Sequence, residues 1–382
     1  MRHSLLAATL LASTATLGHA GAASAADDAR AGVPRVYLVP MTGQMGTDIN
    51  RQFCEMIAKD VKAVKPDIVV YKLNSADKDR IEHLSNDDPT ERGIPSVEEF
   101  RDMVKFLHEE LRDTRQIMWV VDAVGISSVI AFGWPDMYMA SDARIEGAAD
   151  LGERVKSQWE DADVRMKMLA AWQGMIKATF QQGGYPISLA DALIYPEEKL
   201  SVRFKGREVE WLNDASGTWV IDGSDKAPAV FSGTLAEDTL LCDGIADSLD
   251  DLLYLLDARE YDELENGVKL QEQYVEDWRK AFRRCQDWMK DAGEVEESVA
   301  GLGKRKALFQ KVLAALRQYD AVKTRMQQMG VSEAALLVQI DNIEKDIQRA
   351  RDAEKNGGGF GGGGGGGRGL GGGGGFGGRR GG

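Results

Sequence analysis

The stretch DAVGISSVIAFGWPDMYMAS, residues 122–141, places two hydroxyls, Ser127 and Ser128, after small residues at the end of an apolar run. A serine in such a place attacks a carbonyl only if a neighbour takes its proton. That neighbour is usually a histidine, or a lysine whose charged form is disfavoured by desolvation. All four histidines precede Ser127, and only His83 and His108 lie beyond the first 25 residues. Neither Cys-x-x-Cys nor His-x-x-x-His spacing occurs, so no metal or other cofactor is expected. Cys54, Cys242 and Cys285 are odd in number and widely spaced, and no disulfide framework follows from them.

The elements that would position Ser127 alternate in type. VYLVPMTGQMG, from Val36, reads as a short apolar strand and a glycine turn. Ile49, Phe53, Ile57 and Val61 then share one face of a helix that Pro66 closes, and a strand follows over Ile68 to Leu73. A second helix over Val97 to Leu111 leads into QIMWVVDAV, a strand buried on both faces. Strands alternating with helices predict a parallel sheet built of βαβ units. Beyond Pro135, MYMA is a short strand and a helical stretch runs through Phe180 to Gly183-Gly184. LSVRFKGREVEWL reads as a hairpin turning at Lys205-Gly206, GTWVIDG as a third extended piece, and residues 234–256 as helix, loop and helix.

After about Tyr261 the pattern becomes helical. Val268, Val275, Trp278, Phe282, Cys285 and Met289 form one stripe, interrupted at Gln271. Phe309, Val312, Leu316 and Tyr319 form a second, and Leu336, Ile340, Ile343 and Ile347 a third with Ser332 as its cap. Three helices over 262–355 can form a coiled-coil-like appendage or pack as ordinary core. The tail over 356–382 is glycine-rich and of low complexity, and is expected to be disordered. Residues 1–25 carry a basic start, an apolar run and Ala23-Ser24-Ala25, the pattern of a signal peptide cleaved after Ala25, with Ala20 as the second choice. The mature chain is then exported to the periplasm or cell envelope and has no transmembrane segment. A net charge of −14 argues against a nucleic-acid partner, which would need a basic face.

Several of these stretches resemble the ClpP/crotonase superfamily, above all the ClpP-like domains of NfeD-type membrane proteases and of signal peptide peptidases. VYLVPMTGQMG is similar to the family's opening strand and turn, and PDIVVYKLN to its second strand. WVVDAVGISSVIAFGWPDMYMASDARIEGAAD matches the nucleophile region, and TLAEDTLLCDGIADSLDDLLYLL the closing segment. The resemblance implies an α/β fold of ClpP/crotonase type over 33–258, followed by the α-helical region and the tail. It also implies Ser127 as nucleophile, with Lys167, 40 residues on in the same chain, as base; Lys156 and Lys177 are the alternatives. The histidine-based triad order of ClpP itself is excluded by the histidine positions.

The resemblance places Asn74, Ser75, Ala76 and Ser128 at the oxyanion and substrate-binding positions. Acyl transfer needs backbone donors aimed at the developing oxyanion, and the family's Pro-Gly-Gly run supplies them. Here NSADKDRIEHL has no glycine, Asp77 and Asp79 add charge of the wrong sign, and Val124 and Ile126 put bulk beside the serine. Two functions therefore stand: an exported Ser-Lys peptidase acting on proteins or peptides, and a catalytically inactive scaffold that forms homo-oligomers and binds envelope partners. A crotonase-type acyl-CoA enzyme is a third reading, disfavoured by export away from CoA.

Overall fold

The computed structural model describes residues 32–76, 97–147, 159–206, 208–224 and 226–355. The expected signal peptide, Asp77, Asp79, His83, Lys156 and the glycine tail lie outside them. The chain divides into two compact units, one ending at Glu276 and the other beginning at Asp277.

The first unit is mixed α/β, as the alternating pattern requires. Its principal sheet joins β1 (Arg35–Thr42), β2 (Ile68–Ala76), β3 (Arg115–Val124), β4 (Met137–Met139), β5 (Arg144–Glu146), β9 (Val230–Ser232) and β10 (Asp262–Leu264). The strand order is β10-β1-β2-β3-β5-β9, with β4 also paired to β3. Strands β10, β1, β2 and β3 run parallel, Val36 opposite Ile68 and Ile68 opposite Arg115, while β9 returns antiparallel to β5. The second, three-stranded sheet holds β6 (Leu200–Lys205), β7 (Glu208–Leu212) and β8 (Trp219–Asp222) in the order β7-β6-β8. It contains the expected hairpin, with Gly206 at φ 68° in the turn.

Alternation along the parallel strands sorts the core onto two faces. Val36, Ile68, Val70, Ile117 and Trp119 point one way and pack with Leu252 and Leu253 of helix α7 (Leu249–Leu255). The Trp119 indole donates to the Ala246 carbonyl at 2.9 Å, so its one polar atom is satisfied inside that core. Tyr37 points the other way and donates to Asp60 of α1 (Arg51–Val64) at 2.8 Å. Helix α1 buries Phe53, Cys54, Ile57, Ala58 and Val61; Asn50 caps its start, and Lys65 in the left-handed region (φ 50°) ends it just before Pro66. Helix α2 (Val97–Glu110) packs beside α1, α3 (Ile126–Ala131) follows β3, and α4 (Ala162–Gln182) packs against α2 and α3. Helices α5 (Ile187–Ile194) and α6 (Gly233–Asp238) complete the unit before α7.

The boundary expected between the α/β unit and the helical region is corrected by β10. Residues 262–264 pair with Arg35, Val36 and Tyr37 at the sheet edge, and the first turns of α8 (Asn266–Glu294) belong to the first unit. Gly267 makes this close approach possible: a Cβ there would stand 2.2 Å from the Leu38 carbonyl oxygen.

The second unit consists of the later turns of α8 with α9 (Val299–Gln318), α10 (Asp320–Gln328) and α11 (Glu333–Lys355). Four helices therefore stand where three were expected: Tyr319 adopts extended backbone (φ −130°, ψ 116°) at the end of the second stripe, and α10 forms between it and the third. Trp278, Cys285, Phe309, Val312, Leu316, Val322, Met326 and Leu336 are buried in it. Arg305 donates to the carbonyls of Ala292 and Val295, satisfying acceptors at and just beyond the end of α8. Among the described residues no helix is long and apolar enough to cross a membrane.

Candidate functional site

Ser127 lies in the first turn of α3, directly after β3. The turn between them is made by Gly125 at φ 77°, ψ −133°, a conformation an L side chain rarely adopts. It sends the chain from the sheet into the helix with Ser127 fully buried. The hydroxyl Oγ is 2.5 Å from the carbonyl oxygen of Ser75 and 2.9 Å from that of Val124. A hydroxyl has one proton, so these two carbonyls hold it between them, and among the described residues no basic side chain is bonded to it. Ser128 is also buried, and its Oγ donates to the Gly125 carbonyl at 2.7 Å. Both serines thus satisfy main-chain acceptors around the β3–α3 turn.

Lys167 occupies the first half of α4, exposed to solvent, with no ion pair or side-chain hydrogen bond among the described residues. It makes no bond to Ser127. Lys177, ten residues on, is held by Asp191 of α5 at 2.7 Å. The two side chains of the dyad implied by resemblance are thus not hydrogen-bonded to each other, and a base acts on a hydroxyl only from within hydrogen-bond reach.

Asn74, Ser75 and Ala76 do not turn out into a loop. They continue β2, with Asn74 opposite Asp122, Ser75 opposite Ala123 and Ala76 opposite Val124, after a register shift between Leu73 and Asn74. None has positive φ. The absence of glycine here is explained by an extended segment that needs no left-handed residue. The corollary is that these residues serve the strand ladder rather than a cradle of open donors. Ser75 is 1% exposed and its Oγ donates to the Gly43 carbonyl at 2.7 Å. Val124 and Ile126 are likewise buried, filling core rather than narrowing a cleft.

Ser127, Ser75 and Gly43 thus form a chain of hydroxyl-to-carbonyl bonds across the ends of β3, β2 and β1. Beyond Gly43 lies a second polar group that residue types alone did not single out. Thr47, Asp48 and Asn50 are each at most 1% exposed in the loop between β1 and α1. The Asp48 carboxylate accepts from the Gln44 backbone at 2.9 Å, and the Asn50 amide donates to the Tyr274 hydroxyl at 2.7 Å. Gln271 donates to the Thr42 carbonyl at 2.8 Å. The first turns of α8 therefore close over the carboxyl end of β1. The one sequence sign of this was Gln271, which interrupts an otherwise apolar stripe.

His108, the described histidine, sits on α2 with Nε2 2.8 Å from the Gly133 carbonyl and its ring 5.2 Å from that of Trp134. Burial pushes its pKa below the ordinary imidazole value, and the carbonyl contact opposes this. The three cysteines are buried free thiols, and burial pushes Cys242 up to about 11. Among the described residues no group of histidine, cysteine and carboxylate side chains is placed to hold a metal ion.

No protein-family model matches the sequence, and no curated protein matches it. Among solved structures, the chain is similar to the 1510-N membrane-bound stomatin-specific protease in complex with a substrate peptide. The identity is 11% and the TM-score 0.38, over 58% of this chain and 80% of that one. A second structure of the 1510-N protease, described as specific for a stomatin homologue from Pyrococcus horikoshii, gives 12% and 0.33 over 58% and 78%. An enoyl-CoA hydratase/isomerase from Pseudoalteromonas atlantica T6c gives 14% and 0.26 over 79% and 88%.

Proposed function

We propose that this chain is a noncatalytic binding scaffold, exported to the cell envelope, that carries a ClpP-like α/β unit without its peptidase chemistry. The observation that supports this reading is the bonding of Ser127: a fully buried hydroxyl whose proton is held by the Ser75 and Val124 carbonyls. A nucleophile must present Oγ to substrate and give its proton to a base, and a serine committed to two carbonyls does neither. The exposed position of Lys167 and the strand-paired backbone of residues 74–76 agree with it. Export rests on the first 25 residues. Homo-oligomerisation and envelope protein partners belong to the same proposal.

The test is labelling of the purified mature protein with fluorophosphonate probes of several sizes across a range of pH, with mass spectrometry to locate any adduct. The expected result is folded protein with no adduct at Ser127. An adduct at Ser127 that both Ser127→Ala and Lys167→Ala abolish would establish a Ser-Lys peptidase and overturn the scaffold reading.

A further inference from the structure

Within the second unit, α8 and α9 leave a cleft of about 330 Å³ between them. Its α8 wall is Asp277, Lys280, Ala281, Arg284 and Trp288, residues that fall on one helical face. Its α9 wall is Lys311, Ala314, Ala315 and Gln318, with Tyr319 following. Three alanines keep the floor low, and an aromatic ring stands on each wall. Lys311 lies over the Trp288 ring at 5.6 Å, and the Gln318 amide donates to the Tyr319 hydroxyl.

The charge on this cleft opposes that of the chain. Lys280, Arg284 and Lys311 all face it, and none forms an ion pair among the described residues. Asp277 is the one carboxylate in the lining, so three cations and one anion leave a local charge of +2, on a chain whose net charge is −14. By contrast, Lys306 and Arg317 elsewhere on α9 are neutralised by Glu344 and Glu333 of α11.

We propose that this cleft binds a small aromatic phosphate monoester. A phosphate dianion matches the local charge of +2, where a carboxylate would leave half of it unmatched. Arg284 supplies the planar fork suited to phosphate oxygens, and the two lysines supply point charges. The apolar body of the ligand packs on the alanine floor between Trp288 and Tyr319. The volume is at the small end of ligand clefts, which suits a single ring rather than a polymer. Three cations are also too few to hold a nucleic acid backbone on so acidic a chain.

The experiment is calorimetric titration of the full chain with phenyl phosphate, inorganic phosphate and benzoate, at low and high ionic strength. Phenyl phosphate should bind saturably and more tightly than either other compound, and weaken as salt is added. Arg284→Gln and Lys311→Gln should each weaken it by about tenfold, the value of one charge-assisted contact of about 1.4 kcal/mol. Trp288→Leu should weaken phenyl phosphate but leave inorganic phosphate unchanged. Arg284 and Lys311 are exposed, so unchanged thermal melts will show that these variants fold. No saturable binding of phenyl phosphate, binding indifferent to both charge substitutions, or benzoate binding as tightly would overturn the proposal. Inorganic phosphate binding as tightly as phenyl phosphate would overturn its aromatic half.

Discussion

Replacing Ser127 by alanine separates a nucleophile from a structural hydroxyl by the sign of the stability change. A serine presented to substrate in an open site contributes little to folding, and its removal is neutral or stabilising. Ser127 is instead fully buried, 2.5 Å from the Ser75 carbonyl and 2.9 Å from that of Val124. Losing one such bond costs about 1 kcal/mol net, and a buried acceptor left without its donor raises the loss to about 1–3 kcal/mol. With a urea dependence of about 3 kcal/mol/M, the midpoint of the α/β unit should fall by roughly 0.3–1 M with the slope unchanged. Two controls fix the scale. Lys167→Ala, at an exposed position without side-chain partners among the described residues, should stay within about 0.5 kcal/mol of the parent. Ser128→Ala, which loses a bond to a carbonyl three residues back, should fall between the two. A Ser127→Ala chain as stable as the parent, or more so, would refute the structural role assigned to this hydroxyl.

Other perturbations have equally definite outcomes. Gly43→Ala forces a side chain onto φ 130° with Cβ 2.2 Å from that of Asp48, and should cost more than about 3 kcal/mol in chemical denaturation. Tyr274→Phe removes the acceptor of the Asn50 amide, which keeps the Thr47 carbonyl as partner, so the loss should be about 1–2 kcal/mol. A double-mutant cycle of Tyr274→Phe with Asn50→Ala should show coupling between α8 and the β1–α1 loop, and additive losses would count against that contact. His108, whose pKa is depressed by burial, binds its proton less readily folded than unfolded. Its contribution is therefore complete above the ordinary value of about 6.5 and is lost as pH falls from there through the folded pKa. Stability measured between pH 7.5 and 5.5 should decline less in His108→Gln than in the parent.

Much of the framework was legible without coordinates, for a local reason. Strands β1, β2 and β3 are short apolar runs bounded by turn residues, and α1 shows its buried face as Phe53, Ile57 and Val61 at spacing four. Gly125 and the two serines after it were visible as a turn with hydroxyls at a strand end. Burial periodicity and turn chemistry act over a few residues, so they can be read from a few residues. The end of the sheet could not be read this way. Asp-Glu-Leu at 262–264 carries no apolar alternation and becomes β10 only because the edge of β1 stands open to pair with it.

The site shows the same division. Residue types and their order show which groups could react: Ser127 with no histidine after it, lysines in the following helix, and no glycine immediately after β2. The partners of those groups are a property of the tertiary fold. The Ser127 hydroxyl donates to the carbonyl of Ser75, 52 residues away in the chain and brought beside it by the pairing of β2 with β3. Lys167 faces solvent because its position on α4 lies off the buried face formed by Trp172, Ile176 and Phe180. Residue type and spacing are local properties of the chain, whereas hydrogen-bond partnership and desolvation are made by segments far apart in it.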